Sequence, residues 1–350
     1  MRSLAPVALF AVAVAVLAGC STSAGPPAGT KSSPTNAGAP PAPAGRLVFR
    51  EYLNSDQDRA ALFSVKSDGT GVRQLTKPGG QEVDADASWS PDGSQIVFTR
   101  YIAINTEAEA HQIVVMNADG TGQKALTPGH PAGATIAGFD DSPAFSPDGK
   151  QIAYIHGNGE IEDIGGREQL EHSNIWLMHA DGTNQHAITE GKAYSADLGG
   201  LAWSADGKQL AFGVWNSQDS DPAGGRAMFV MNLDGTGRHQ LTPWPIGADG
   251  FPDWSATANE IVFRAAPDEE SGIGNFYLVR PDGTHLTQIT HYNNEVASHR
   301  VTFSPDGKWI AYGVSPNDAT IHIYESRIDG SGARAITKTK LASSSPDWTG

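Results

Sequence analysis

From residue 46 onward, apolar and polar positions alternate in short runs, and each run stops at a cluster of turn-forming residues. One set of runs reads Gln95-Ile96-Val97-Phe98, Gln151-Ile152-Ala153-Tyr154, Gln209-Leu210-Ala211-Phe212, Glu260-Ile261-Val262-Phe263 and Trp309-Ile310-Ala311-Tyr312. A second set reads Gln112-Ile113-Val114-Val115-Met116, Asn174-Ile175-Trp176-Leu177-Met178, Ala227-Met228-Phe229-Val230-Met231, Asn275-Phe276-Tyr277-Leu278-Val279 and Ile321-His322-Ile323-Tyr324. Short alternating runs bounded by turn residues predict β-strands. No helical period is evident after residue 45.

The turns are of two recurring kinds. Asp-Gly-Thr or Asp-Gly-Ser starts at Asp68, Asp119, Asp181, Asp234, Asp282 and Asp329. Eight residues after each Asp stands a Thr preceded by Leu or Ile: Thr76, Thr127, Thr189, Thr242, Thr290 and Thr337. Ser-Pro-Asp-Gly follows an aromatic residue at Trp89, Phe145 and Phe303, with altered copies after Trp203 and Trp254. Pro presets φ, Asp tolerates the next position and Gly takes a positive φ at little cost. A repeat of about fifty residues marks a repeat architecture.

Each unit holds four short strands. Strand a ends in the aromatic, b follows its turn, c leads into Asp-Gly-Thr, and d ends at Leu/Ile-Thr. Radial repetition of such sheets predicts an all-β, six-bladed β-propeller. The first unit opens on a strand b, Arg46-Leu47-Val48-Phe49, and the last residues form a strand a, Ser345-Pro346-Asp347-Trp348-Thr349. The C-terminal strand is therefore expected to complete blade 1 and hide two sheet edges.

These motifs resemble the PD40 repeats of TolB-like, WD40-like propellers over residues 46–350. The resemblance implies a propeller that binds protein partners without catalysis. Similar propellers also stand, as non-catalytic domains, ahead of serine peptidase domains. Fold alone does not fix function.

The first 45 residues read differently. Residues 1–19 carry Arg2 and an apolar run from Ala5 to Val16, as a secretory signal does. Leu17-Ala18-Gly19-Cys20 resembles the bacterial lipobox, which implies lipidation of Cys20 after cleavage. Residues 20–45 are mostly Ser, Thr, Ala, Gly and Pro, a composition expected of a flexible tether. The expected location is the extracytoplasmic side of the cell membrane, held by the lipid anchor only. Cys20 is the single cysteine, so no intrachain disulfide forms. A net charge of −15 argues against a nucleic-acid partner.

Topology separates scaffold from candidate site. The a–b and c–d turns are short and share one face. The b–c loops and d–a connectors lie opposite and vary in length, the longest running from His156 to Ser173. Irregular loops on a regular scaffold are where binding resides. The residues just before the strand-a aromatics are expected at the mouth of the central channel: Asp86, Asp140, Asp141, Asp197, Asp253, His299, Arg300 and Asp347. Converging carboxylates could hold Ca²⁺; no other cofactor is expected. His299 and Arg300 interrupt the acids and either orient an anionic ligand group or pair with neighbouring Asp residues. The loop aromatics Trp215, Trp244 and Tyr292 are read as ligand contacts or loop anchors.

No Gly-x-Ser-x-Gly elbow, His-Glu-x-x-His site, P-loop or dinucleotide fingerprint occurs in the chain. The sequence therefore favours a binding module for an envelope protein, peptide or glycan over an enzyme. The alternative is a hydrolase or lyase acting on an envelope sugar or lactone at the channel mouth.

Overall fold

A computed structural model describes residues 44–104, 109–129, 139–157, 161–164, 167–170, 173–189, 198–216, 225–267, 273–293, 296–315 and 320–350. The lipobox, most of the expected tether and Asp197 lie outside the described residues.

The strands form four-stranded antiparallel blades in the expected order. Blade 2 is Glu82–Trp89, Gln95–Ile102, Ala110–Asn117 and Lys124–Ala125. Blade 3 is Phe139–Phe145, Gln151–Gly157, Ser173–His179 and His186–Ala187. Blade 4 is Leu198–Trp203, Gln209–Asn216, Gly225–Asn232 and His239–Gln240. Blade 5 is Asp253–Trp254, Ile261–Ala265, Asn275–Val279 and Thr287–Gln288. Blade 6 is Val296–Phe303, Trp309–Ser315, His322–Arg327 and Arg334–Ala335.

Blade 1 is composite, as the sequence predicts. Ser343–Thr349 pairs antiparallel with Arg46–Tyr52, with Leu47 opposite Trp348 and Val48 opposite Asp347. Ala60–Lys66 and Arg73–Gln74 finish that blade. One difference from expectation is a hairpin in the long blade-3 loop, Ile161–Ile164 against Arg167–Leu170.

The repeated turn residues have specific structural duties. Asp119 Oδ1 accepts hydrogen bonds from the Thr121 amide at 2.9 Å and the Thr121 hydroxyl at 2.6 Å. Gly120 sits at φ 85°, and a Cβ there would lie 2.3 Å from the Leu75 carbonyl oxygen of blade 1. Gly330 meets the Ile289 carbonyl of blade 5 in the same way. The turn glycine is thus a seat for the preceding blade as well as a positive-φ residue.

The closing Thr has an equally local cause. Its buried hydroxyl accepts the amide of a residue in or at the start of strand c, 14 positions earlier, in every blade. The pairs are Thr76 with Leu62, Thr127 with Ile113, Thr189 with Ile175, Thr242 with Met228, Thr290 with Phe276 and Thr337 with Ile323. That bond ties the two-residue outer strand to its neighbour and satisfies an amide that water does not reach.

The core is divided among the blade junctions. Ala87, Trp89, Ile96 and Phe98 of blade 2 pack on Val48, Leu62 and Leu75 of blade 1. Equivalent clusters join blades 2 and 3, 3 and 4, 4 and 5, 5 and 6, and 6 and 1. The strand-a aromatics are buried in these layers, and Trp203 Nε1 donates to the Ala144 carbonyl of the preceding blade at 3.0 Å.

Thr127→Val keeps the shape of the side chain but leaves the buried Ile113 amide without its acceptor. It is expected to cost about 1–3 kcal/mol, read as a fall in melting temperature. Thr284→Ala at the exposed turn is expected to cost less than about 1 kcal/mol.

Candidate functional site

The inner strands are not regular. Asp86, Ser142 and Ser345 each stand three residues before their aromatic, and each has a left-handed φ of 51–53°. The ladder slips beside each of them, between Ala85 and Ser88, Asp141 and Ala144, and Val48 and Arg50. In blade 4 the same position is Gly200, where a Cβ would strike Phe251 at 2.5 Å. Bulges re-aim side chains and recur beside functional sites. Here they interrupt the strict inward–outward alternation at the ends of the inner strands.

By their hydrogen bonds and ion pairs, the sequence-predicted residues fall into groups. Five positions before the aromatic, an acid is matched by a cation or imidazole on strand b or just beyond it. Arg100 grips Asp84 with two hydrogen bonds of 2.7 and 2.9 Å. His156 Nδ1 lies 2.7 Å from Asp140 Oδ1. Arg264 binds the buried Asp249 carboxylate, with Arg226 and His299 each 3.4 Å from the same oxygen. His299 itself is 60% exposed.

A second group joins blades 2 and 3. The Tyr101 hydroxyl lies 2.9 Å from Asp86 Oδ2 and 3.0 Å from Asp141 Oδ2. One hydroxyl proton serves only one of these. Burial, then the Asp141 charge, raise the Asp86 carboxyl above its ordinary range, with Arg50, Arg300 and Tyr101 opposing. Asp141 also accepts from Thr99 Oγ1 at 2.9 Å and from the Ser142 amide. His111 Nδ1 stands 3.8 Å from Asp141 Oδ2, and its other nitrogen is 3.3 Å from Glu109.

The third group spans blades 5, 6, 1 and 2. Asp253 Oδ2 accepts from the Phe303 amide at 2.7 Å and from Thr302 Oγ1 at 3.1 Å. Asp347 Oδ2 accepts from the Trp89 amide at 2.8 Å, and Arg300 donates to its other oxygen at 3.3 Å. Burial, followed by repulsion from Asp347, pushes the Asp253 carboxyl up to about 6. Burial also raises Asp347, against the pull of Arg300.

Sequence reasoning located the acids and missed the partners Arg50, Thr99, Arg100, Tyr101, His111, His156 and Arg264. A signal existed. Arg100 and His156 fall 11 residues after their strand-a aromatics, and Arg264 falls 10 after its own. The loop aromatics are anchors by their contacts: Trp244 packs on Phe229, and the Tyr292 hydroxyl donates to Tyr312 at 3.1 Å. Arg226 lies over the Trp215 ring, 5.0 Å from its centre.

Among the described residues, no three His, Cys, Asp or Glu side chains are grouped as a metal site. No described helix is long and apolar enough to cross a membrane. A separate groove of about 590 Å³ opens on the turn face between blades 4 and 5. Ala205 and Ala256 there stand where other blades have the turn Pro. Its lining consists mainly of turn residues such as Asp206, Ser255 and Asp282, so the titratable chemistry lies at the inner ring instead.

Arg100→Ala leaves Asp84, which has no exposed side-chain surface, without its cation. The expected loss is about 3–5 kcal/mol in a denaturant titration, and adding Asp84→Asn should recover part of it.

No protein-family profile matches the chain. It is similar to uncharacterized peptidase YuxL of Bacillus subtilis, 26% identical over 204 residues, covering 49% of this chain and 29% of that protein. It is also similar to dipeptidyl-peptidase 5 of Porphyromonas gingivalis, 26% identical over 321 residues, covering 79% of this chain and 43% of that protein. The chain thus spans less than half the length of these relatives. TolB from Acinetobacter baumannii superposes with a TM-score of 0.64 at 17% identity, covering 89% of this chain and 68% of that one. Hydrazine synthase from Kuenenia stuttgartiensis gives 0.68 at 13% identity, covering 88% and 47%. What these structures share with the chain is the fold, a β-propeller of the TolB-like kind.

Proposed function

We propose that the chain is a binding module outside the cytoplasmic membrane, taking an envelope protein, peptide or glycan on its b–c and d–a face. One observation carries this reading: the buried charges cluster toward that end of the inner strands, beside strained backbone. On the opposite face the Asp residues serve their own turns, as Asp119 does for Thr121. Preorganised, desolvated polar groups beside variable loops suit specific recognition. The apolar run Ala5 to Val16 and the Leu17-Ala18-Gly19-Cys20 motif support membrane attachment through a lipid on Cys20. Ca²⁺ remains part of the proposal only as a ligand of the acidic ring.

A second reading rests on Asp86, Tyr101 and Asp141. A tyrosine hydroxyl set between two carboxyls, with Asp86 raised by burial, suits general acid–base work on an envelope sugar or lactone. Peptidase activity belongs to the relatives named above and is not proposed for this chain.

Two measurements test these readings. Envelope extract captured by wild type is expected to lose its main partner, by about tenfold, with Asp141→Asn or His299→Ala and not with the turn-face variant Lys124→Ala; one tenfold step is about 1.4 kcal/mol of binding. An unchanged profile in both ring variants overturns the binding face. Turnover of a sugar and lactone panel, abolished by Asp141→Ala, would favour the second reading. In fractionated cells Cys20→Ala is expected to move the protein out of the membrane fraction.

A further inference from the structure

On the turn face, the a–b turn of one blade rests against that of the next, and a side chain fills the contact. A Cβ at Gly149 would lie 3.5 Å from Pro91 Cδ, one at Gly207 would lie 3.7 Å from Pro147 Cδ, and one at Gly350 would lie 3.1 Å from the Pro305 ring. Between blades 1 and 2 Thr349 stands beside Gly93, and between blades 5 and 6 the Thr257 hydroxyl abuts Gly307. The junction of blades 4 and 5 differs. Its two positions are Ala205 and Ala258, and both line the groove of about 590 Å³. Where other junctions hold a pyrrolidine ring, this one has an open notch.

The walls of the notch are built in advance. Trp254 and Pro281 give it apolar surface. His239 Nε2, 2.7 Å from the Pro281 carbonyl oxygen, braces the two blades across it. Arg73 and Lys124 brace two other junctions from the same place in the repeat, each reaching a turn carbonyl of the next blade at 3.0 Å. The carboxylates on the lining are Asp206 and Asp282, and no Lys or Arg is among the lining residues. Each spends Oδ1 on its own turn, accepting from Ser204 Oγ at 2.8 Å and from the Thr284 hydroxyl at 2.6 Å. Those bonds hold both carboxyls below their ordinary range, so both are ionised at neutral pH. The exposed Lys208 ammonium reaches Asp206 Oδ2 only at 3.5 Å. A ligand cation can replace such a surface pair at little cost.

We propose that this groove is a second docking site, on the turn face, for an extended partner peptide carrying prolines flanked by lysine or arginine. A proline ring takes the place that Pro91 and Pro147 hold at their junctions, against Trp254 and Pro281. Extended proline-rich segments have a preformed shape, lose little freedom on docking and suit grooves with an aromatic wall. The flanking cations meet Asp206 and Asp282. The site is separate from the b–c and d–a face, and neither depends on the other.

The probe is a fluorescein-labelled peptide, Lys-Pro-Pro-Pro-Lys, followed by fluorescence anisotropy on the full chain. It is expected to bind saturably, and Lys-Ala-Ala-Ala-Lys about tenfold more weakly. Ala205→Pro restores the ring used at other junctions and is expected to weaken the probe about tenfold without lowering the melting temperature. The Cβ of Ala258 leaves room for that ring, as the 3.5 and 3.7 Å distances at Gly149 and Gly207 show. Asp282→Asn keeps the turn acceptor and is expected to weaken the probe about two- to fivefold, a difference that salt erases. If wild type and Ala205→Pro bind the probe equally, or if the alanine peptide binds as well as the proline one, the groove is no proline site. The proposal also falls if Ala205→Pro instead breaks a dimer in sedimentation, which makes a second copy the occupant, or if wild type binds a neutral tetrasaccharide and not the peptide.

Discussion

Each blade has an apolar face that only its neighbour can cover. A four-stranded sheet of this size has no second layer of its own, so the hydrophobic residues are distributed over the blade junctions. Trp89, Phe145, Trp203, Trp254, Phe303 and Trp348 each fill one of these layers. Every other regularity serves that stacking. The turn glycines allow a blade's turn to rest on the carbonyl of the blade before it, as Gly120 does on Leu75. The closing threonines fix the narrow outer strands without exposing a long unpaired edge.

Because the repeat is governed by local turn chemistry, the fold was legible in the sequence almost completely. Asp-Gly-Thr/Ser states its geometry in three residues and six copies repeat it in register, with Ser-Pro-Asp-Gly or an altered form of it interleaved. The composite first blade followed from where the strands fall. The site was legible only in part. Asp86, Asp141, Asp253 and Asp347 could be picked out because they precede the aromatics. Their partners could not, since the bulges at Asp86, Ser142 and Ser345 break the two-residue alternation that would have placed Tyr101 and Arg50. Which carboxylate shares which guanidinium is decided between blades, at separations such as the 47 residues from Arg300 to Asp347. No local pattern carries that information. Asp197 and the loops around it lie outside the described residues.

The inner ring shows how an acidic chain buries carboxylates. Asp84 has a whole guanidinium, Asp140 an imidazole, and Asp249 two guanidiniums. Asp253 and Asp347 instead lean on backbone amides of the next blade, and Arg300 also binds Asp347. These two carboxylates therefore stitch one blade to the next, and neither is merely decoration on the channel. Groups that hold a ring together and stand beside variable loops are placed to feel whatever those loops hold. A ligand that altered the charge near Arg300 would act on the closing strand through Asp347.

The pairing of Arg46–Tyr52 with Ser343–Thr349 also has a consequence in time. Arg50 and Ser344 are 294 residues apart in the chain. While the intervening blades are still being made, blade 1 has no inner strand, and Leu47 and Val48 face an open seam. Contacts of such long range are slow to form, because the chain loses much freedom before they reward it. Five blades can assemble from neighbouring segments, but the sixth junction waits for both distant strands. The nascent protein must spend that interval as an unclosed arc, with the apolar faces of its first and last blades uncovered.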